Sequence, residues 1–293
     1  MTVDTQQVET PSGKGAGDEN FPVGSMLLPA RLRPHVAKFY AFARAIDDIA
    51  DNPDLAPEDK VARLDGFDRA LTGALDGDDA YAKAYAIRES CAATDVPVKH
   101  CRDLIVAFNQ DAVKLRYRDW DDLMGYCDNS ASPVGRYLLD LHGESRDGYR
   151  YSDALCNALQ VINHLQDCQD DYRTLDRVYL PEPWLHAGGA KVEDLDAARA
   201  NAGVRAVIDR CLDGTEALLD DARLLPAALR SRSLAMESSA IVVLAETLIG
   251  QLRRRDPIAE RVELGKPHFL WCCLVGVVRT LAGRPKMPAN EGL

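Results

Sequence analysis

Residues 40–51 place four side chains of complementary chemistry at helical spacing. They are Tyr40, Arg44, Asp47 and Asp51. Side chains three and four positions apart are neighbours on a helix, so all four share one face. The two aspartates repel each other at this spacing, and the apolar residues around them predict a largely buried helix. Buried like charges are costly unless a cation neutralises them, so this stripe predicts a divalent metal site.

A second polar stripe follows more than a hundred residues later. It consists of Gln160, Asn163, Asp167 and Asp171, again at spacings of three and four. The repetition predicts two helices that face one cavity. Mg²⁺ takes one or two carboxylates, water and substrate phosphates as ligands. The two stripes together therefore predict a small Mg²⁺ cluster that binds a diphosphate.

Other interpretations of the acidic residues are weaker. Acidic side chains on helices are usually solvated, and a single stripe would not argue against that. Two stripes, each preceded by hydrogen-bonding side chains on the same face, favour the metal site. A di-iron bundle needs Glu-x-x-His pairs, and the sequence contains none. His164 lies off the second stripe and is predicted to be a core or boundary residue.

The elements that must position these stripes are helical almost throughout. Predicted helices span residues 34–51, 57–76, 79–94, 98–116, 120–143, 149–175, 193–222, 228–255 and 265–282. No run alternates apolar and polar residues as a half-buried strand would. We therefore predict an all-α fold with one domain over residues 20–284. Residues 1–19 are predicted to be a disordered tail because they are too polar to bury themselves, and residues 285–293 a C-terminal tail.

Charge and cysteine usage exclude several classes of protein. The chain of 293 residues has 46 acidic and 35 basic side chains, a formal charge of −11. Binding to nucleic acid needs a basic face for phosphates, so no nucleic-acid partner is expected. The eight cysteines include no C-x-x-C pair, and no apolar run reaches the ~20 residues of a membrane-spanning helix. A cytoplasmic protein with reduced cysteines is the simplest interpretation.

These motifs resemble those of the squalene/phytoene synthase family over about residues 20–284. The two aspartate-rich motifs of the family correspond to Asp47–Asp51 and Asp167–Asp171. Further matches are Tyr40-Ala-Phe-Ala-Arg44, Gln160 with Asn163, Arg177-Val-Tyr179-Leu-Pro181, Tyr126-Cys127, Val134-Gly135 and Arg261-Val262. The resemblance implies an isoprenoid synthase, a single-domain helical bundle with a central cavity.

The resemblance also implies roles for individual residues. Mg²⁺, as a cluster of two or three ions, would be held by Asp47, Asp51, Asp167 and Asp171, which with Asn163 form the implied catalytic set. The implied substrate-binding residues are Phe21, Tyr40, Arg44, Val134, Gln160, Arg177, Tyr179 and Arg261. The substrate would be an isoprenoid diphosphate.

Local differences favour one branch of the family. Asp18–Val23 replaces the Ser-x-Ser-Phe of other branches, and Ser130–Arg136 replaces their Val-Ala-Gly-x-Val-Gly. Leu244 stands where relatives have a tyrosine that contacts diphosphate. These changes affect the coupling of two prenyl diphosphates. They imply an enzyme that converts presqualene diphosphate and water to hydroxysqualene and diphosphate, with Mg²⁺ and without NADPH. Such an enzyme would act in squalene or hopanoid biosynthesis, coupled to other hopanoid-pathway enzymes.

Two alternatives remain open at this point. The chain could be another synthase of the family, making presqualene diphosphate, squalene or phytoene. It could also be a non-catalytic relative that acts as an assembly or scaffold protein. The intact aspartate motifs argue against a scaffold, since such a protein has no need for four mutually repelling carboxylates.

The apolar segment Phe269–Val278 has two interpretations. It is most simply a core helix or a dimer interface. It could instead form a lipid-facing surface through which a water-insoluble substrate enters. The second interpretation would place the protein peripherally at the inner face of the membrane.

Overall fold

A computed structural model describes residues 8–11 and 28–283 of the chain. Phe21 and the Asp18–Val23 segment lie outside the described residues, and so does the predicted tail 285–293. The expectations for these residues therefore stay predictions.

Residues 8–11 differ from the expected disordered tail. Val8 is buried, and its carbonyl accepts a hydrogen bond of 3.0 Å from Arg63. The Thr10 hydroxyl donates to the backbone carbonyl of Asp48 at 2.9 Å. The prediction of disorder is wrong for these four residues, because Val8 joins the hydrophobic cluster of the first helices and the backbone finds hydrogen-bond partners there.

The described residues form thirteen α-helices, α1–α13. Their bounds are α1 Arg33–Ala50, α2 Pro57–Thr72, α3 Ala82–Thr94, α4 Lys99–Val113, α5 Trp120–Ser130, α6 Ser132–Leu141, α7 Tyr149–Gln166, α8 Cys168–Leu175, α9 Glu182–Ala187, α10 Ala202–Ala222, α11 Leu225–Ala228, α12 Arg232–Leu252 and α13 Lys266–Ala282. Short 3₁₀ helices occupy Asp79–Tyr81, Arg146–Gly148 and Val192–Asp196. Within this part of the chain there is no strand, only one parallel bridge between Arg116 and Val178. The all-α prediction is confirmed.

Local sequence explains where several helices begin. Pro34 occupies the first turn of α1, where a missing N–H costs nothing. Asp119, Asn201 and Ser231 precede α5, α10 and α12, and their side-chain oxygens each accept a hydrogen bond from a first-turn N–H. These caps satisfy backbone donors that have no partner within the helix.

Two of the predicted helices that carry candidate site residues are interrupted. The predicted helix 120–143 divides at Ala131, whose backbone (φ −121°, ψ −48°) leaves the helical region before Pro133 enters α6. The predicted helix 149–175 divides at Asp167 (φ −103°, ψ 7°), between α7 and α8. The second aspartate stripe therefore spans a helix break, and the prediction of one continuous helix over residues 149–175 is wrong.

The helices pack into two main hydrophobic clusters. One combines buried side chains of α1, α2, α3 and α4, including Phe42 and Phe67. The other is built around α7, which packs against α6, α10 and α12. Helices α1 and α7 belong to different clusters, and the cavity described below lies between them.

Helix α12 is a long apolar helix that packs inside the bundle. Among the described residues, α12 is the one helix long and apolar enough to cross a membrane by length and composition, with a mean hydropathy of 1.4. Two-thirds of its most apolar stretch (67%) is buried inside the protein. Packing in the bundle accounts for this composition.

Candidate active site

A cavity of about 370 Å³ runs along α1 and α7. Six of the predicted site residues line it: Tyr40, Arg44, Asp47, Val134, Gln160 and Asn163. Along α1 the lining changes from Val36 and Phe39 to Arg44 and Asp47, and along α7 it changes from Leu155 to the two amides. Val36 and Asp47 are about 16 Å apart along the helix axis at 1.5 Å per residue. The cavity therefore has an apolar end and a polar end.

Carboxylates of the two acidic segments crowd together beside the polar end, where Asp47 lines the cavity but Asp51, Asp167 and Asp171 do not. The pKa of Asp47 is raised well above its ordinary value, mainly by burial and next by the neighbouring Asp51 carboxylate. The pKa of Asp171 is raised to about 8, mainly by burial and next by the negative charges of Asp167 and Asp51. Since Asp51 lies just after α1 and Asp171 on α8, their mutual repulsion shows that the structure brings the two segments together. Arg44 partly offsets the charge through an ion pair of 3.0 Å with Asp47.

Arg177 is a buried cation beside the first acidic segment. The residue is buried (4% exposed), and its guanidinium donates a 2.8 Å hydrogen bond to the Asp51 carboxylate. It also donates to the backbone carbonyl of Asp111 at 3.1 Å and lies 3.7 Å from the Asp111 carboxylate. Arg177 does not line the cavity. The structure places it as a bridge that fixes Asp51 against α4.

Asp111 is the centre of a buried network that the sequence did not predict. Its carboxylate accepts hydrogen bonds from the Tyr126 hydroxyl (2.6 Å) and the Tyr179 hydroxyl (3.1 Å). Burial raises the pKa of Asp111 to about 6, and Arg177 limits that rise. One available signal was its position on α4, because it continues a face of apolar residues that includes Leu104. An acidic residue on such a face needs partners.

Tyr179, a predicted substrate-binding residue, belongs to this network. Its side chain is buried and stacks on His164, with ring centroids 3.4 Å apart. Burial lowers the pKa of His164 to about 3, so the imidazole is neutral, as the prediction of a core residue implies. Tyr179 does not line the cavity, and its contacts support Arg177 and Asp111.

The structure separates Arg261 from the cavity. Its side chain is exposed and forms a 2.9 Å ion pair with Glu263. The next residue, Val262, is buried, and its carbonyl accepts a hydrogen bond from the Gln166 side chain at the end of α7. This contact keeps the segment of Arg261 close to Asp167, the residue that follows Gln166.

The donor set at the polar end fits an ion that takes few protein ligands. Within residues 8–11 and 28–283 no three His, Cys, Asp or Glu side chains form a ready-made cage for a metal. Mg²⁺ is usually held by one or two carboxylates and completes its octahedron with water and phosphate oxygens. Carboxylates that repel each other and have raised pKa values are suited to such an ion.

An all-helical bundle with two acidic segments at one end of a cavity defines an isoprenoid-synthase type of protein. The family model described as squalene/phytoene synthase matches residues 15–268. The chain belongs to the squalene/phytoene synthase family.

Similar proteins agree with this assignment. The chain is 43% identical to hydroxysqualene synthase of Rhodopseudomonas palustris over 91% of its own length and 90% of that protein. It is 41% identical to hydroxysqualene synthase of Zymomonas mobilis, over 92% and 91%. The crystal structure of squalene synthase HpnC from Alicyclobacillus acidocaldarius superposes with a TM-score of 0.70 at 33% identity, covering 85% of this chain and 92% of that one. A dehydrosqualene synthase structure at 19% identity, with a TM-score of 0.76, shares the fold.

Proposed function

We propose that this protein is a hydroxysqualene synthase, which converts presqualene diphosphate and water to hydroxysqualene and diphosphate. Two relatives of that name match more than nine-tenths of this chain. The observation that carries the proposal is a cavity with crowded carboxylates at one end and an apolar wall along the rest. Such a cavity suits a ligand with a diphosphate at one end and a hydrocarbon body.

The polar end would bind the diphosphate. Asp47, Asp51, Asp167 and Asp171 would hold Mg²⁺, as two or three ions, which when bound supplies positive charge to the leaving group. The amides of Gln160 and Asn163 line the cavity beside them and would hydrogen-bond and orient the departing group.

Three arginines would complete this anion site. Arg44 lines the cavity and is held by Asp47 and Asp48, which orient its guanidinium. Arg177 would position Asp51 through its hydrogen bond to the Asp51 carboxylate. The exposed side chain of Arg261 forms an ion pair of 2.9 Å with Glu263, so a contact between Arg261 and diphosphate would require that pair to rearrange.

The apolar end would exclude bulk water from the reaction. Phe39, Val134, Leu155 and Ile241 line it, so a carbocation formed by loss of diphosphate would meet few nucleophiles. Tyr40 lies between the two ends and would stabilise positive charge by cation–π attraction, on the order of 0.5–2 kcal/mol. Phe21 remains a predicted part of the same binding surface.

Product analysis tests this function. Purified protein is incubated with farnesyl or presqualene diphosphate in H₂¹⁸O, with Mg²⁺ and with or without NADPH. We expect hydroxysqualene carrying ¹⁸O from presqualene diphosphate, at the same rate with and without NADPH. Efficient conversion of farnesyl diphosphate to squalene or phytoene would contradict the proposal and leave only the family assignment.

A thermal-shift measurement separates an enzyme from a scaffold. Binding of Mg²⁺ and diphosphate to the folded protein raises the melting temperature by mass action. We expect a rise that depends on both components together. A non-catalytic relative that has lost its site would show none.

We also propose that the protein works in the cytoplasm, at the membrane surface, beside other hopanoid-pathway enzymes. On α13, one face exposes five large apolar side chains: Leu270, Trp271, Leu274, Val278 and Leu281. The charged residues of this helix are basic, Lys266 and Arg279, which suits anionic lipid headgroups. A hydrocarbon substrate dissolved in the bilayer would be reached from this surface.

Flotation with anionic liposomes tests the membrane contact. The native protein is expected to float, and Trp271→Ser combined with Leu274→Ser is expected to abolish flotation without lowering the melting temperature, because both side chains are already exposed. Equal flotation of the two proteins would contradict the lipid-facing interpretation. A concentration-dependent dimer of the native protein alone would instead support an interface between two copies.

A further inference from the structure

Glu237 is a buried carboxyl group on the cavity wall. It lies on α12 between Leu234 and Ile241, which line the cavity with it, and it is 6% exposed. Its Oε2 atom is buried without a hydrogen-bond partner. A buried carboxyl group is costly to leave without partners, so its presence needs an explanation.

The other buried carboxylates among residues 8–11 and 28–283 have structural partners. Asp111 accepts hydrogen bonds from two tyrosines. The Glu144 carboxylate accepts hydrogen bonds from the backbone N–H groups of Arg230 (2.8 Å) and Ser231 (2.6 Å), and so connects two segments of the chain. Nothing comparable surrounds Glu237 in the described part of the chain. Holding the fold together therefore does not explain this residue.

Glu237 is also electrostatically separate from the polar end of the cavity. Burial alone raises its pKa to about 7, with no contribution from a charged neighbour. The charges that act on Asp47 come from Arg44 and nearby aspartates, and Glu237 is not among them. Glu237 therefore belongs to the apolar end, apart from the carboxylates that would hold the metal.

A second polar atom without a partner lies in the same cavity wall. Ser130, at the end of α5, lines the cavity, and its buried Oγ has no hydrogen-bond partner. Ser238, next to Glu237, also lines the cavity. A buried water needs two to four polar partners, and an apolar cavity without them stays dry. These groups offer such partners within an otherwise apolar surface.

We propose that Glu237 is a catalytic residue that holds the water molecule used in the reaction and accepts its proton. The inference rests on the proposed function, which requires a residue that activates water, and it identifies that residue as Glu237. The bond between carbon and the diphosphate oxygen breaks first, and the leaving diphosphate takes the electron pair. A lone pair of the water then forms the new C–O bond with the carbocation. One water proton passes to the Glu237 carboxylate and later returns to solvent.

The position and chemistry of Glu237 suit this step. A carboxylate both stabilises a nearby carbocation and acts as a general base, which an alcohol or an amide does less well. A pKa near 7 matches proton transfer at neutral pH. Separation from the polar end leaves Glu237 free of the metal and the diphosphate.

Separate measurement of diphosphate release and of product identity tests the proposal. Presqualene diphosphate and Mg²⁺ are given to the native protein, to Glu237→Gln and to Glu237→Asp. In Glu237→Gln we expect hydroxysqualene formation to fall at least about tenfold while diphosphate release falls less than about threefold. The cation then ends in elimination or rearrangement products. Glu237→Asp keeps the carboxyl group and is expected to restore part of the hydroxysqualene.

Glu246→Gln is the matched control. Glu246 lies on the same helix, outside the cavity, and pairs with Arg223 and Arg279 on the surface. It should change neither product ratio nor rate. The melting temperature of each variant identifies any loss of folding, and Glu237→Asp provides the second test if Glu237→Gln does not fold.

Each outcome distinguishes the proposal from the function on which it rests. Native rate and product ratio in Glu237→Gln would overturn the role in water capture. An equal fall of diphosphate release and hydroxysqualene would also overturn it, because Glu237 would then act on binding or ionisation. If the native protein releases diphosphate but forms no hydroxysqualene, the proposed function itself fails.

Discussion

The two ends of the cavity use the same functional group in opposite ways. At the polar end, burial and then neighbouring carboxylates, Asp51 among them, raise the pKa values of Asp47 and Asp171, with Arg44 and Arg177 beside them. At the apolar end one carboxyl group, Glu237, is buried among aliphatic side chains, and only burial acts on its pKa.

The neighbours of a carboxylate decide its chemistry. Crowded carboxylates repel each other, and a multivalent cation relieves that repulsion. An isolated buried carboxylate has no charge to relieve, so a proton is the partner it gains most easily. The first arrangement suits metal and diphosphate, and the second suits proton transfer.

Removing one carboxylate from the crowded end should have the largest effect. We expect Asp47→Asn or Asp171→Asn to reduce turnover by about 100-fold or more, since metal-based charge stabilisation contributes several kcal/mol. Stability in metal-free buffer should stay constant or rise, because a repelling charge is lost. Steady-state kinetics and thermal melts measure both, with the exposed Asp170→Asn as control. Native turnover in both variants would contradict the proposal that the two acidic segments together hold Mg²⁺.

Removing the buried Arg177 guanidinium should mainly affect the stability of the fold. Arg177→Met leaves Asp51 and the buried Asp111 without their guanidinium, and we expect a loss of about 3–5 kcal/mol in the free energy of unfolding. The exposed Arg261→Met should change it by less than about 0.5 kcal/mol. Denaturant unfolding curves provide the comparison. Similar losses in both variants would show that depth of burial does not separate these two arginines.

The isolated carboxyl group should reveal itself through pH. The pKa of Glu237 rises from 4.5 to about 7 on folding, so its ionisation destabilises the folded protein as pH increases through this range. Relative to Glu237→Gln, the native protein should lose about 3 kcal/mol of stability between pH 4 and pH 8. Burial, and to a smaller extent Cys272 and Glu237, raises the pKa of the Cys273 thiol above its ordinary value, so this neighbour stays protonated there. Parallel stability curves for the two proteins would contradict an isolated, buried Glu237.

The support behind the apolar end gives the smallest expected effect. A Cβ on Gly276 of α13 would lie 2.3 Å from the Ala240 Cα of α12, so the two helices must move apart in Gly276→Ala. We expect a loss of about 1–3 kcal/mol. Gly250→Ala on α12 meets nothing closer than 3.7 Å and should be neutral or stabilising. Equal melting temperatures for both variants would show that close packing of α13 is unimportant.

Local sequence predicted most of the helices and the first acidic stripe. Tyr40, Arg44 and Asp47 lie on one uninterrupted helix, where spacing alone defines the shared face. The same reasoning was less accurate for the second stripe, because the helix breaks at Asp167. The backbone hydrogen bond from the Asp171 N–H to the Asp167 carbonyl is kept across this break. The spacing of charged residues contains no signal for such a break.

The helical class and the presence of two pairs of aspartates at helical spacing follow from the sequence alone, since both depend on spacing along the chain. Only the tertiary structure decided how deep each charge lies and which partners it meets. Arg177 and Arg261 are alike in sequence, yet one is buried between Asp51 and Asp111 and the other is exposed. Glu237 could not be distinguished from a surface glutamate of α12 until packing enclosed it. Burial depends on contacts between distant segments, which local spacing does not contain.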